Sequence, residues 1–273
     1  MAATVELRTR GRRPSRLLDL RRDLPETLRW LLAAAGLLGV LGLWLWAAGR
    51  ESGSVRVPTP AATVDALREQ WREGTLWSDT RASSSRILYG YSISMAIGVV
   101  AGIAIGSVRS VEATLEAPIG FLRYVPANAL TPLLLMWLGI DEAPKITLIV
   151  LGTVFFNVLM TADVARSVPR ELIEASYTLG ARRLTVLRRV ILRHSVPGII
   201  DVARINLAAG WLMLVVAELL AAQDGLAFRI VKAQRGRRVD TIFAILIVFG
   251  IIGMLSDLAL RWLRNATSRW ARP

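Results

Sequence analysis

Apolar residues occur along this chain in long runs rather than in the alternating pattern that is typical of strands. Six runs come close to the roughly 20 residues that a helix needs to cross the hydrocarbon core of a bilayer. They cover residues 30–48, 87–108, 119–140, 146–162, 199–222 and 242–260. The third run contains Pro126, Asn128 and Pro132, and we expect it to be broken or kinked because proline removes a backbone hydrogen bond. The pattern therefore predicts an all-α membrane protein with six transmembrane helices.

The second run carries glycines at steps of four and eight residues. They are Gly90, Gly98, Gly102 and Gly106. Small residues at this spacing share one face of a helix and let a neighbouring helix approach closely. The spacing therefore predicts a tightly packed helix pair.

The composition supports a membrane protein and excludes several other functions. Of the 273 residues, 53% are hydrophobic, and the formal net charge is +13. In a chain this apolar, the positive charge favours contact with a membrane over binding to nucleic acid. There is no cysteine, which excludes disulfides, thiolate catalysis and cysteine-ligated metals. The single histidine, His194, lies in an arginine-rich segment and is expected at the membrane surface rather than as a ligand.

The distribution of basic residues predicts an orientation. If the N-terminus is cytoplasmic, the inner segments carry 20 Arg and Lys residues and the outer segments carry 11. Cytoplasmic segments of membrane proteins are enriched in such residues, so both termini are predicted to be cytoplasmic. The segment 223–240 is basic although it would face outward. The first run is expected to be an uncleaved anchor, since the 29 residues before it are long and carry both charges.

Five segments follow from this pattern. They are a basic cytoplasmic tail (1–29), a first transmembrane helix (30–48), an outer loop (49–81), a five-helix core (82–265) with a long inner loop at 164–196, and a cytoplasmic C-terminal tail (266–273). Within the outer loop, residues 63–72 predict a short amphipathic helix with Val64, Leu67 and Trp71 on one face. Such a helix is expected to lie on the membrane surface.

The inner loop at 164–196 predicts two short helices joined by a glycine. Pro169 suits a first helical turn, and Glu171 and Glu174 lie where the helix dipole favours negative charge. Gly180 suits the left-handed stop of that helix, and Pro197 is expected to start the fifth span after the second helix. The first helix carries a stripe of small and apolar side chains, formed by Leu172, Ala175, Ser176 and Leu179. A solvated connection does not need this construction, whereas a protein-docking element does.

The same loop carries a family signature. The letters EAS at 174–176 are followed after three residues by Gly180, and after nine more by VIL at 190–192. This resembles the EAA loop of ABC-importer permease subunits, which reads Glu-Ala-Ala, three residues, Gly, nine residues and Ile-x-Leu-Pro. Ser176 replaces the second alanine, and Arg193 stands where the motif has proline.

Two further segments, 123–146 and 217–234, resemble the nitrate/sulfonate/taurine permeases, so that the likeness covers about residues 82–265. It implies a type I (MetI-like) permease fold with a cytoplasmic coupling helix at 169–179, in which Glu174 makes a polar contact and Gly180 sets the turn. It also implies a bacterial cytoplasmic membrane, a second permease copy in a homodimer, two ABC ATPase subunits, an external solute-binding protein and a small anionic solute. The implied ATPase-coupling residues are Pro169, Glu171, Leu172, Glu174, Ala175, Ser176, Leu179, Gly180 and Ala181.

The chain itself has no phosphate-binding loop. The pattern G-x-x-x-x-G-K-[ST] needs a lysine after glycine, but Lys145 follows Pro144 and Lys232 follows Val231. We therefore expect no cofactor in this chain, with ATP and magnesium bound by a partner ATPase. No nucleic-acid partner is expected, and membrane lipid is a partner of any such chain.

Polar and bulky residues near the spans are candidates for the solute path. The candidates are Glu218, as an ionisable group in a span, Asn157, as a polar residue at mid-depth, and Met136 and Trp137, as a possible apolar gate after the broken stretch. Each also has a packing interpretation. Asp201 and Arg204 are spaced to pair on one helix face. The basic outer segment contains Arg229, Lys232, Arg235, Arg237 and Arg238, which could concentrate an anionic solute, dock a binding protein or contact lipid.

Two other classes of protein compete with a permease subunit. A self-sufficient secondary transporter or channel is disfavoured, because the spans show no set of buried carboxylates, no clear internal repeat and no selectivity-filter sequence. A membrane-embedded enzyme is disfavoured because the spans lack clustered His, Asp or catalytic Ser arrangements. The leading hypothesis is therefore a permease subunit that is not itself an enzyme.

Overall fold

The computed structural model describes residues 25–50, 57–221 and 223–267, and within them the chain is helical without strands. Most of the tails expected at 1–29 and 266–273 lies outside these residues. The helices are α1 (Glu26–Gly49), α2 (Pro60–Arg72), α3 (Thr75–Ser107), α4 (Arg109–Leu122), α5 (Thr131–Leu138), α6 (Glu142–Arg166), α7 (Arg170–Thr178), α8 (Arg183–Val186), α9 (Leu192–Ala221), α10 (Leu226–Arg235) and α11 (Val239–Thr267).

Five elements in the described residues are long and apolar enough to cross a membrane. Four of them are α1, α3, α6 and α11, and the fifth is the continuous stretch Arg183–Leu219. A sixth span is formed if α4 and the segment Ala127–Leu138 count as one, bent by 77°. Pro126 is extended just before the bend, and Pro132 lies in the first turn of α5, so the expected break in the third run is confirmed.

Helix α1 lies in a first compact unit, residues 1–60, and the other spans lie in a second, residues 61–273. No residue of α1 is buried, and its Trp44 donates a hydrogen bond of 2.9 Å from Nε1 to the carbonyl oxygen of Pro58. A helix that is apolar on all sides is typical of a membrane span.

Helices α3 and α6 run parallel and form the centre of the second unit. A Cβ atom on Gly98 would lie 2.6 Å from Cβ of Asn157, and one on Gly102 would lie 2.6 Å from Cβ of Thr161. One on Gly106 would lie 2.5 Å from the carbonyl oxygen of Ala162. These separations are shorter than van der Waals contact, so only glycine fits. The predicted close helix packing is confirmed, and α6 is the partner.

The fifth span does not start at Pro197, so that expectation is wrong. Pro197 lies inside α9, and α8 joins α9 through a π-helical turn at Leu187–Ile191. The second short inner helix is therefore the beginning of the span itself. Buried Ile191 and Ile200 hold the helix on both sides of Pro197, which explains how it continues past a missing backbone donor.

Of the three apolar residues of α2 that were expected at the membrane surface, Leu67 instead packs on a cluster with Leu76, Leu226 and Ile245 at its centre. Thr63, Ala66 and Gln70 are buried, whereas Val64 and Trp71 are exposed. The small and polar residues allow α2 to lie close to the bundle, and the exposed apolar side remains available for the membrane surface.

The glycine contacts predict the effect of adding one methyl group between α3 and α6. Gly102→Ala should destabilise the chain by about 1–3 kcal/mol, because the added atom would meet the backbone as well as a side chain of α6. The measurement is the thermal unfolding midpoint in detergent. Gly253→Ala is the matched control, since a Cβ there meets nothing within 4 Å. Equal midpoints for the two variants would contradict the close approach.

Candidate functional site

Helix α7 stands at one end of the bundle, called here the α7 end. It is anchored by Ile173, which packs on a cluster of apolar residues with Ile103, Val168 and Ile191 at its centre. Its other side chains point away from the bundle, and none of its residues is buried. Among them Leu179, which follows the last turn, is 87% exposed. The chain thus holds a short helix by one residue and presents the rest of its surface.

A glycine turn closes α7. Gly180 has φ +79°, and its N–H donates to the carbonyl oxygen of Tyr177 at 2.9 Å. The N–H of Ala181 donates to the carbonyl oxygen of Ser176 at 3.0 Å. These two bonds form a complete Schellman motif, in which the left-handed residue is glycine because a side chain there would be strained.

The structure places all nine expected coupling residues on or beside α7. Ser176 and Ala181 are partly buried, and the other seven are exposed. Sequence reasoning missed Ile173, which is the contact between α7 and the bundle. Its position between two exposed residues, Leu172 and Glu174, is the pattern that could have marked it.

A polar cluster lies at mid-depth between α3, α6 and α9. Asn157 is fully buried and donates a hydrogen bond of 2.9 Å to Ser94, and its oxygen accepts one of 2.8 Å from Asn206. Thr153 donates to the same Ser94 hydroxyl at 2.7 Å. Asn157 therefore faces other helices of its own chain, and its bonds hold three spans together.

A charged cluster lies at the opposite end of the bundle, called here the α10 end. At its centre is Arg86, which is 2% exposed and whose five guanidinium N–H groups all donate hydrogen bonds. Two go to Glu142 at 2.7 and 2.8 Å and one to Glu218 at 2.9 Å. The other two go to the backbone and the carboxylate of Asp224, the former at 2.9 Å. Four segments of the chain therefore meet on one side chain.

The same cluster holds the start of α10. The N–H of Gly225 donates to Asp79 at 3.0 Å, that of Leu226 to Ser83 at 2.9 Å and that of Ala227 to Glu218 at 2.9 Å. These are the N–H groups that a helix start leaves without intrahelical partners. A Cβ on Gly225, whose φ is +115°, would lie 2.5 Å from the Glu218 carboxylate, so the turn requires glycine.

Two further cations belong to this cluster: Arg229 pairs with Asp79 at 2.6 Å, and Lys145 with Glu142 at 2.8 Å. Three cations thus face four carboxylates, of which Asp79 and Glu218 are buried, so removing Arg229 or Arg86 would leave a buried carboxylate without its cation. Sequence reasoning placed Arg86 only at the edge of a span. The available signal was the i, i+4, i+7 spacing of Asp79, Ser83 and Arg86, which puts three polar groups on one face of α3.

At the α7 end a second set of ion pairs joins α9 to α11. Arg204 pairs with Asp201 at 3.1 Å, as the sequence predicted, and also with Asp257 of α11 at 2.9 Å. Arg264 reaches back to Asp201 at 2.9 Å. The pair expected within one helix is therefore part of a link between two.

The four expected path residues are not brought together in the chain. Met136 and Trp137 lie on α5 and are 75% and 70% exposed. Asn157 and Glu218 are buried in the two polar clusters at different depths. Of the four, only the α5 pair presents a surface beyond its own bundle. Among the described residues, no group of His, Cys, Asp or Glu could hold a metal ion.

Parallel and antiparallel spans around a glycine-packed pair, with an exposed short helix at one end, define an α-helical membrane transport component. The chain belongs to the family of binding-protein-dependent transport system inner membrane components, whose model matches residues 94–272. It is thus the permease part of such a system. A self-sufficient transporter or channel does not fit this membership.

Relatives and a solved structure agree with this assignment. A probable ABC transporter permease protein of Brucella melitensis is 35% identical over 230 residues, covering 84% of this chain and 94% of the relative. The taurine transport system permease protein of Escherichia coli is 36% identical, covering 78% and 80%. A structure of the MetNI methionine ABC transporter in an inward-facing conformation has a chain that matches with a TM-score of 0.63 at 20% identity, covering 68% of this chain and 93% of its own. That likeness shows the MetI-like fold.

The Arg86 cluster generates a stability prediction. Arg86→Met should destabilise the chain by about 3–5 kcal/mol, because the buried Glu218 carboxylate would lose its cationic partner. Arg68→Met is the matched control: its ion pair with Asp65 is exposed and should be worth at most about 1 kcal/mol. The measurement is the unfolding midpoint of both variants in detergent. A similar small shift in both would show that Arg86 is not a structural centre.

Proposed function

We propose that this chain is the permease subunit of an ATP-driven importer, in which two copies enclose the solute path and two separate ABC ATPase subunits bind at the α7 end. The observation that carries the proposal is α7 itself, a short helix closed by a glycine turn and exposed at every residue except Ile173 and Ser176.

The exposed surface of α7 suits a protein partner. Leu172, Tyr177 and Leu179 are large, apolar and exposed, and Glu171 and Glu174 lie beside them. A few apolar anchors with polar neighbours are typical of an interface in which a small number of residues carry most of the binding energy. We assign the nine ATPase-coupling residues expected from the sequence, which lie between Pro169 and Ala181, to contact with the ATPase.

ATP and magnesium belong to that partner in this proposal. The chain has no phosphate-binding loop, and its two lysines have other surroundings. Lys145 is buried and paired with Glu142, and Lys232 lies exposed on α10. Hydrolysis is therefore assigned to the partner, and this chain converts it into a change of the path.

The proposal also sets the orientation. With the ATPases in the cytoplasm, the α7 end is cytoplasmic, both termini are cytoplasmic, and the α10 end faces outward in the bacterial cytoplasmic membrane. The excess of basic residues in the inner segments supports this orientation. An external solute-binding protein then meets the α10 end, where α2 and α10 lie outside the spans.

The solute in this proposal is a small organic or inorganic anion of the sulfonate, taurine or nitrate type. The taurine permease relative supports this class. So do three exposed cations at the α10 end: Lys232, Arg235 and Arg237. Met136 and Trp137 on α5 are our candidates for the path surface, whereas we assign Asn157 and Glu218 to holding the helices in place.

The other two cations of the basic segment have structural partners. Arg229 is paired with Asp79, and Arg238 donates hydrogen bonds to Glu69 of α2 at 2.6 and 3.3 Å. The hydrogen bond from Arg238 holds the pKa of the Glu69 carboxyl below its ordinary value. Steering of an anion therefore rests on the three exposed cations, and Arg238 joins α2 to the start of α11.

Disrupting α7 tests the ATPase assignment. Glu174→Arg should lower the amount of ATPase that copurifies with the chain by about tenfold or more, as for a central interface residue. Gly180→Pro should have the same effect, because proline cannot adopt φ +79°. The measurement is quantitative mass spectrometry of the solubilised complex. Glu73→Arg makes the same charge change at the α10 end and should leave the ATPase bound. Unchanged copurification in both α7 variants would contradict the proposal.

Removing the exposed cations tests the solute class. Replacing Lys232 and Arg235 by Gln and Arg237, whose φ is +56°, by Asn should slow taurine uptake about tenfold at low ionic strength. The difference should shrink as salt screens the charges. Uptake into proteoliposomes across a salt series is the measurement. A triple Gln variant at Arg68, Arg72 and Arg81 changes the net charge equally and is the control. If the uptake rate is insensitive to ionic strength in the unchanged protein, in the triple variant and in the control, steering by these residues is ruled out.

A further inference from the structure

Arg166 is the last residue of α6, and residues 167–169 connect it to the start of α7. Its guanidinium bonds to Glu116 at 2.7 Å and to Glu112 at 3.1 Å, both on α4. It also bonds to Asp163 on its own helix at 2.9 Å. The side chain thus ties the base of α7 to a neighbouring helix that the coupling segment does not otherwise include.

Helix α4 packs on α3 and α6 through partly buried side chains, Val111 and Ile119 among them. It has no buried residue, and it follows α3 after a single extended residue, Val108. A cavity of about 980 Å³ lies between the beginning of α4 and the α6–α7 connection, with Gly106, Glu112, Val168 and Ile173 among its lining residues. An open groove therefore separates the beginning of α4 from the α6–α7 connection, and Arg166, Glu112 and Glu116 are among the residues that line it.

The far end of α4 leads to the exposed pair on α5. After α4 the chain bends by 77° before the segment that ends at Leu138. Helix α5 is anchored by Leu134, which packs on Leu148 of α6 and Ala217 of α9. A movement of the α4 base relative to α6 would therefore reach α5 through the bend at residues 123–126, and Met136 and Trp137 lie near the far end of α5.

The ion pairs of Arg166 position α4 relative to α6 more than they stabilise the fold. The Arg166 side chain is 31% exposed, and those of Glu112 and Glu116 are 38% and 43% exposed. Partly solvated pairs contribute little free energy, roughly 1 kcal/mol or less, and can break and reform. This is suitable for a joint between moving parts and unsuitable for a permanent anchor.

We propose that Arg166 is a positioning residue that transmits the displacement of α7 to α4, and through the bend to the exposed residues of α5. The proposal rests on the proposed function, in which α7 is the element moved by the ATPase. Glu112 and Glu116 on α4 are the receiving groups, and the pair with Asp163 lies within α6 and takes no part in the transmission.

The test follows α5 directly and needs no knowledge of the solute. Since the chain has no cysteine, Met136→Cys introduces a single reactive thiol on α5. The complex with its copurified ATPase is placed in proteoliposomes, and the rate of maleimide labelling is measured without nucleotide and after trapping with ATP and vanadate. With Arg166 intact, trapping should change the rate by about fivefold or more, the range of ordinary allosteric coupling.

Two variants remove the joint in different ways. Arg166→Gln removes the cation, and Glu112→Gln with Glu116→Gln removes the α4 partners while leaving α6 unchanged. In both, trapping should change the labelling rate by less than about twofold, although the ATPase still binds and hydrolyses ATP. Asp163→Asn removes only the partner on the same helix, and its response should match that of the intact protein.

The outcomes separate this proposal from the proposed function. An ATP response that persists in both variants, or is absent when Arg166 is intact, overturns the role of Arg166. So does loss of the response together with loss of the bound ATPase in both variants, because Arg166 would then be a structural support. If no ATPase copurifies with the intact chain, the proposed function fails before the joint is tested.

Discussion

The close approach of α3 and α6 is the constraint on which the rest of the structure depends. Glycines allow the two backbones to touch, and this close contact determines which positions of α3 face which positions of α6. Small interfaces of this kind are the membrane counterpart of a packed core, because lipid provides no hydrophobic drive between helices. With the pair fixed, Ser94 of α3 lies beside Asn157 of α6, and Asn206 of α9 completes the hydrogen bonds. The position of α9, the third central helix, is thus determined by polar groups that have no water available as a hydrogen-bond partner.

The two ends of this pair differ in a way that follows from how their charges are satisfied. At the α10 end, Arg86 uses every donor, and the start of α10 is held by side chains on two helices. Breaking such a buried set would cost several kcal/mol, so this end behaves as one unit. At the α7 end, Arg166 and its partners are partly solvated, α4 has no buried residue, and α7 is anchored by Ile173. Motion at low cost is therefore available at the α7 end, where the proposed ATPase contact lies.

The sequence predicts the spans and the coupling segment because both depend on local pattern. Run length marks a helix that crosses a bilayer, Pro126 and Pro132 mark the broken span, and Gly180 marks the end of α7. What local pattern does not contain is pairing between distant segments. Arg86 bonds with Glu142 and Glu218, which lie 56 and 132 positions further along the chain, and nothing in the sequence around Arg86 indicates these partners. The misplaced start of the fifth span has a related cause. Pro197 is a local signal for a helix start, but packing on both sides carries the helix through it.

Pairing between distant segments also gives several of the arginines a structural role. Much of the arginine at the two ends of the bundle is paired with carboxylates on other helices, and the planar guanidinium suits such sites because it can donate to several acceptors at fixed angles. Arg86, Arg166 and Arg204 each bond carboxylates on two or more helical segments, a geometry that a lysine could reproduce only as a point charge. The count of 34 Lys and Arg residues thus overstates the cation density available to a solute, because each cation paired with a carboxylate is neutralised. Within the basic segment 223–240 the exposed cations outside these pairs are Lys232, Arg235 and Arg237, and it is on these that the proposed attraction of a small anion rests.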